Sequence, residues 1–248
     1  MGSIDPFARA LSDLGVDERT LSPDDKRALD EQGYTLLRAV TDGAHLEAMR
    51  LLCDRWRDDE AALHQGGNRQ LSALSERHEP LVRAVLAPAL LAAAWQVLRR
   101  PFQLGGVAFR DPRPGHGQQA LHADWGFHPD ADTHHVVTAL WLLDAFTPEN
   151  GATRVVPATH RRPGQVPKRF ADPKSRHPDE RTITSPEGAL LVFNGHLWHS
   201  GTQNHSNGPR RALQISFHAR DAGGVPSTRI EPLARLSPAA QLVLGSAD

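Results

Sequence analysis

The 248-residue sequence contains one cysteine, Cys53, so it can form neither an internal disulfide nor a zinc site built on thiolates. It lacks an excess of either charge: 28 Lys and Arg against 29 Asp and Glu leave a net charge of -1. A general phosphate-binding face needs a basic surplus, so a nucleic-acid partner is not expected. No uninterrupted apolar run reads as a membrane span, and the opening MGSIDPFARA has no hydrophobic leader stretch, so no membrane partner is expected and the cytoplasm is the expected compartment. Internal repeats and low-complexity tracts are also absent. With 39% hydrophobic and 23% charged residues the chain has the balance of a globular protein, which excludes disorder and fibrous repeats. Its length suffices for a substantial core without covalent staples. Histidine is abundant, at 14 residues, as are turn formers, with 20 glycines and 19 prolines.

Residues 1–21 are polar and read as a loosely held arm. The stretch LSPDDKRALDEQG reads as a helix, with Ser22 as N-cap, Pro23 at the first helical position, Asp25 in the first turn and Gly33 as its stop. YTLLRAV (34–40) has strand composition. In 44–63, Leu46, Met49, Leu52, Cys53 and Trp56 recur at helical intervals, which makes Cys53 a core residue. Residues 79–98 are helical, with Pro88 as the interruption. After Pro101 come short apolar runs separated by Pro/Gly loops: FQLGGVAF, HHVVTALWLLD, ATRVVP, ALLVFN and RRALQISFHA. They predict a mostly antiparallel β body. The outline is one domain over 1–248: an arm (1–21), a helical buttress (about 22–100), a β core (about 101–220) and a C-terminal extension (221–248). A long stretch inside the core, about 158–187, has little periodicity and reads as a lid or mobile segment.

The sharpest local feature is LHADWG. His122 and Asp124 stand at i and i+2, so an extended backbone puts an imidazole and a carboxylate on one face. Downstream, LLVFNGHLWHSGTQN carries an apolar strand into a turn followed by His196 and His199. One of these histidines completes a two-His-one-carboxylate triad, the arrangement of non-haem Fe(II) oxygenases; spacing alone does not choose between them. Eleven residues beyond His199 stands Arg210, followed by Arg211. A guanidinium suits the far carboxylate of an anionic co-substrate. On an alternating strand the two face opposite sides, so at most one points inward.

The set His122-Ala-Asp124, the stretch ALWLLDAFTPENGATRVVPATH (139–160) and the run from His199 through SGTQNHSNGP to Arg210-Arg-Ala-Leu together resemble the phytanoyl-CoA dioxygenase-like family. The resemblance spans about residues 22–220. It implies a double-stranded β-helix, a jelly-roll core of mostly β structure with flanking helices. It also implies an Fe(II)- and 2-oxoglutarate-dependent oxygenase that consumes O2 and acts on a small-molecule substrate. Residue by residue, His122, Asp124 and His199 match the iron ligands, and Arg210 matches the arginine that pairs with the C5 carboxylate of 2-oxoglutarate. Trp141 matches a tryptophan near the co-substrate, and Thr138 is a candidate hydroxyl for a co-substrate carboxylate oxygen. Two positions depart from the family pattern: Gly201 where a serine is common, and Ala158 where a glycine is common.

Trp125, Phe127, His128 and His135 flank the metal segment and are candidates for a substrate pocket. Residues 160–181 hold seven Lys and Arg against three Asp and Glu, a charge that suits an anionic substrate or a solvated face. With a carboxylate at position 124, hydroxylation is favoured over halogenation. Desaturation, ring formation and epimerisation remain alternative outcomes of the same iron chemistry. A cupin-like metalloenzyme without 2-oxoglutarate and a non-catalytic binding module are the competing readings.

Overall fold

The computed structural model describes residues 5–57, 67–126, 130–223 and 228–245. Helix α1 (Pro6–Asp13) opens on Asp5, whose carboxylate accepts from the Phe7 amide, with Pro6 at the first helical position. Phe7, Ala10 and Leu11 recur at i, i+3 and i+4 and are buried. The Phe7 ring meets Trp95 at 5.8 Å and Phe102 at 5.0 Å. The expected loose arm is therefore corrected: from residue 5 onward it is part of the core, because its one apolar face has a partner.

Helix α2 (Pro23–Glu31) forms as its sequence predicts, with Ser22 Oγ accepting from the Asp25 amide. Strand β1 (Tyr34–Leu37) follows, then α3 (Gly43–Arg57), which buries Leu46, Met49 and Cys53. Burial raises the Cys53 thiol well above its usual range, so it is an inert packing group. Strands β2 (Asn68–Leu71) and β3 (Ala73–Leu74) lie in what the sequence presents as a helical buttress. Helices α4 (Glu79–Val85) and α5 (Pro88–Leu98) are split at Pro88 as expected. Together they form an apolar run, Glu79–Leu98, of mean hydropathy 1.8, which does have the length and composition of a membrane span. Leu90, Leu91, Ala93, Ala94, Val97 and Leu98 of α5 are buried within the protein core.

The β body comprises β4 (Phe102–Arg110), β5 (Val136–Leu142), β6 (Thr153–Val155), β7 (Arg181–Thr182), β8 (Leu190–Asn194), β9 (His199–Gly201) and β10 (Ala212–Ala219). Six strands make an antiparallel sheet in the order β1-β8-β5-β10-β4-β2, and three make a second one, β7-β6-β9. The N-terminal third thus supplies both edges of the larger sheet. The chain ends with β11 (Arg229–Ile230), parallel to β3, and α6 (Pro238–Leu244), which buries Ala240, Val243 and Leu244.

Alternation along the strands divides the core into two layers. Val137, Ala139 and Trp141 of β5, Leu190 and Val192 of β8, and Leu213, Ile215 and Phe217 of β10 pack with the helices. Leu140 and Leu142 of β5, Leu191 and Phe193 of β8, and Ala212 of β10 pack instead with Val155 of β6, between the sheets. The fold is the expected one: mostly β, jelly-roll, with helices on one face. The inner layer runs into a polar cavity, and that cavity holds the candidate site.

Candidate metal centre

His122 lies opposite His199 in an isolated antiparallel bridge, each backbone N–H donating to the other's carbonyl at 3.0 and 2.8 Å. Two residues on, the Asp124 amide donates to Gly195 O at 2.8 Å. The 122–124 segment is therefore extended alongside 195–199, and the i, i+2 rule holds. One ligand atom from each of His122, Asp124 and His199 lies within 4.8 Å of the other two. Asp124 Oδ1 is 3.6 Å from His199 Nε2 and 4.0 Å from His122 Nε2.

Each imidazole is fixed through its other nitrogen. His122 Nδ1 is 2.9 Å from Ala120 O, and His199 Nδ1 is 2.9 Å from Leu197 O. Donation to these carbonyls puts the proton on Nδ1 and turns the Nε2 lone pair toward the carboxylate, the tautomer a metal requires. Burial pushes His199 down to about 4, partly opposed by Asp124, so its ring is neutral at pH 7. His196 is also buried, but its Nε2 accepts from the His135 amide at 3.2 Å, which turns it away from the triad. The ambiguity left by spacing is resolved toward His199.

Two expected roles are corrected. Thr138 donates its hydroxyl to Asp124 Oδ2 at 2.5 Å, so it fixes the carboxylate rather than a co-substrate oxygen. Trp141, odd-numbered like Val137 and Ala139, faces the helices and packs edge-on to His45 at 6.4 Å, outside the cavity. Trp125 and His135 do come together, stacked at 5.0 Å, with Trp125 edge-on to His218 at 6.2 Å. Phe127 and His128 lie outside the described residues.

The cavity beside the triad has a volume of about 300 Å³. Arg210, Phe193, Leu140 and Thr153 line it, with Arg110, Gln214, Asn68 and Gln119, which the motif reading missed. Arg210 is buried at 6% exposure, its guanidinium 4.7 Å over the Phe146 ring. Among the described residues its Nε has no hydrogen-bond partner. Burial lowers it to about 10, still charged at neutral pH. Arg211 faces the other way, bonded to Asp144 at 2.7 Å and Asp54 at 2.7 Å. The alternation argument for this pair therefore holds.

Gly201 has a local reason. A Cβ there would stand 2.7 Å from the Gly117 carbonyl, and the Gly201 amide donates instead to Gln119 Oε1 at 3.0 Å. Ala158 sits in the left-handed region at φ 63, which explains why glycine is favoured at this position. The basic stretch 160–181 is tied down. Buried Arg154 of β6 donates to Ser200 Oγ (2.6 Å), Ser175 O (2.7 Å), Glu180 (3.0 Å) and Pro173 O (3.2 Å). Phe170 packs near Trp198 at 6.5 Å. The stretch contributes no lining residue to the metal cavity among those described, which counts against its reading as a lid.

A jelly-roll with two imidazoles and a carboxylate at one point, beside a buried guanidinium, defines the class of non-haem Fe(II)- and 2-oxoglutarate-dependent oxygenases. The family model for phytanoyl-CoA dioxygenase matches residues 18–212, and the chain belongs to that family. Dioxygenase af480 of Aspergillus fumigatus is 26% identical over 221 residues, 82% of this chain and 69% of that protein. HygX of Streptomyces hygroscopicus, solved with nickel and 2-oxoglutarate, shares the fold at TM-score 0.68 and 17% identity, over 81% of this chain and 88% of its own. EctD of S. alaskensis, solved with 2-oxoglutarate and 5-hydroxyectoine, does so at TM-score 0.66 and 19% identity, over 83% and 79%.

Proposed function

We propose that the protein hydroxylates a C–H bond of a small molecule, with release of succinate and CO2, and that His122, Asp124 and His199 hold the iron. The observation that carries this reading is the pairing, in one cavity, of a pre-oriented triad with a buried cation that lacks a hydrogen-bond partner at Nε. Fe(II) with 2-oxoglutarate and O2 supplies the oxidising power that no side chain has. The chain supplies the rest. The two imidazoles are held by Ala120 O and Leu197 O, and Asp124 by Thr138, so the ligand set is fixed before any ion arrives. Arg210 would pair with the far carboxylate of 2-oxoglutarate, and Leu140 and Phe193 give the cavity apolar walls. The donor set fits the group: two imidazole nitrogens and one carboxylate for a divalent ion, and the Arg210 guanidinium for the free end of a dicarboxylate. A cavity of about 300 Å³ suits a small substrate.

The test is a substrate screen on protein loaded anaerobically with Fe(II) and 2-oxoglutarate, followed by admission of O2. Succinate formation that rises with one compound, together with a product heavier by one oxygen atom, is the expected result. Succinate rising with a product lighter by two hydrogens would replace hydroxylation by desaturation. Turnover that needs the metal but not 2-oxoglutarate would restore the cupin-like reading.

A further inference from the structure

The cavity contains a second cation with no assigned partner. Arg110 ends β4, its Cα opposite Ala212 on β10 and Asn68 on β2. Ala212 belongs to the inner layer, so the Arg110 side chain shares the inner face with Gln214, to whose Oε1 its Nε donates at 2.8 Å. That bond uses one of five guanidinium N–H donors. Among the described residues no carboxylate lies within 4 Å of Arg110, and no other hydrogen bond holds it. It is mostly buried, which disfavours its charge, and Asp124 is close enough to oppose that effect. Arg110 and Arg210 also feel each other across the cavity. Two guanidinium groups in a confined space repel; Asp124 supports the charge of Arg110 and Asp111 and Asp144 that of Arg210, and an anion in the cavity would relieve the repulsion that remains.

2-Oxoglutarate has two carboxylates. In the reading given above one goes to the metal and the other to Arg210, which leaves Arg110 over. Gln214, Asn68 and Gln119 are neutral and polar, and with Arg110 they give their part of the lining hydrogen-bonding groups for an oxyanion, while Leu140 and Phe193 form an apolar part. We infer that Arg110, steadied by Gln214, is the substrate-binding cation, and that the substrate is a small molecule carrying a carboxylate or phosphonate oxyanion within reach of the metal. The inference rests on the oxygenase reading and adds to it the class of substrate. The long basic stretch 160–181, the obvious sequence-level candidate for attracting an anion, is not needed for it.

The test uses the whole protein loaded with Mn(II), as an unreactive stand-in for iron, and with 2-oxoglutarate. It is titrated calorimetrically with propionate and methylphosphonate, and with their neutral counterparts propionamide and dimethyl methylphosphonate. The wild type should bind the anions and not the neutral compounds. Arg110→Gln should weaken anion binding by about ten- to a hundredfold, the loss of one charge-assisted contact, while Mn(II) and 2-oxoglutarate affinity change little. Arg110→Lys should keep part of the anion affinity. Wild-type protein that takes the neutral compounds equally well, or takes neither anion, overturns the inference without recourse to any variant. So does an Arg110→Gln protein whose anion binding is intact and whose 2-oxoglutarate binding is lost, since that puts Arg110 on the co-substrate. The two readings fail separately. A wild type that never binds 2-oxoglutarate sinks the oxygenase reading, whereas Arg110-dependent anion binding to the Mn(II) protein alone leaves the anion site standing.

Discussion

Removing the Arg210 guanidinium separates co-substrate binding from every other property of the site. The residue is 6% exposed, and its Nε has no hydrogen-bond partner among the described residues; Asp111 and Asp144 support its charge from nearby, and Nε remains able to donate to an entering carboxylate. In Arg210→Ala a carboxylate entering the same cavity loses its charge-assisted donor at this end, and the cation that remains, Arg110, is the one assigned above to the substrate. Losing one partner of a buried charged pair costs about 3–5 kcal/mol. At 1.4 kcal/mol per decade, the dissociation constant for 2-oxoglutarate should rise by roughly two to three and a half orders of magnitude. Water admitted to the vacated space favours the lower end. The assay is calorimetric titration of 2-oxoglutarate into Mn(II)-loaded protein, with the KM for succinate formation as a second reading. Metal affinity should be nearly unchanged, because the arginine is not a ligand. Arg210→Lys should recover only part of the affinity, since an ammonium cannot present a two-pronged donor. Arg211→Ala is the control, though not a silent one. Its bonds to Asp144 and Asp54 join α3 to the loop after β5, so its loss should lower stability by about 1–3 kcal/mol and leave 2-oxoglutarate affinity alone. A folded Arg210→Ala protein with wild-type 2-oxoglutarate affinity would refute the reasoning.

Thr138→Val should lower metal affinity by about 10–100-fold with little change in melting temperature, because it frees one oxygen of Asp124 without opening a cavity; a metal titration decides it. Ala158→Gly should raise stability by up to about 1 kcal/mol, relieving a left-handed alanine at φ 63 at the cost of added chain entropy in the unfolded state. Denaturant unfolding of the metal-free protein measures it, and a destabilised variant would show that the backbone there is not strained. The pH dependence follows from His199, whose value is depressed from 6.5 to about 4 by burial. Folding favours its neutral form, so its contribution is fully present above pH 6.5 and is lost as pH falls through about 4. Metal-free wild type should therefore lose stability on acidification in that window more steeply than His199→Gln does.

Some of this site is legible in one segment and some is not, and the difference is physical. His122 and Asp124 are two residues apart on an extended chain, so their shared face is a property of that segment alone. His196 and His199 are separated by a turn, and what decides between them is Asn194, whose Oδ1 accepts from the His196 amide, together with the His135 amide that captures the His196 ring. Neither partner is visible in the spacing. The misplaced roles of Thr138 and Trp141 have a related cause. All seven residues of β5 are buried, since helices cover one face and the second sheet the other, so polarity does not alternate and gives no sign of which side faces the cavity. In α1 the signal was local and sufficient: Asp5-Pro6 as a helix start, then Phe7, Ala10 and Leu11 on one face, hidden by the polar residues around it. Arg110 is the opposite case. It stands twelve residues before the metal pair in a strand whose pattern says only that one face is buried. Its place beside the metal comes from pairing with Ala212 and Asn68, neither of which any periodicity in FQLGGVAFR specifies. Motifs that hold a metal can be read along the chain, because adjacent ligands come from one strand. The group proposed to select the substrate is brought in by sheet pairing, and so it has to be found in the fold.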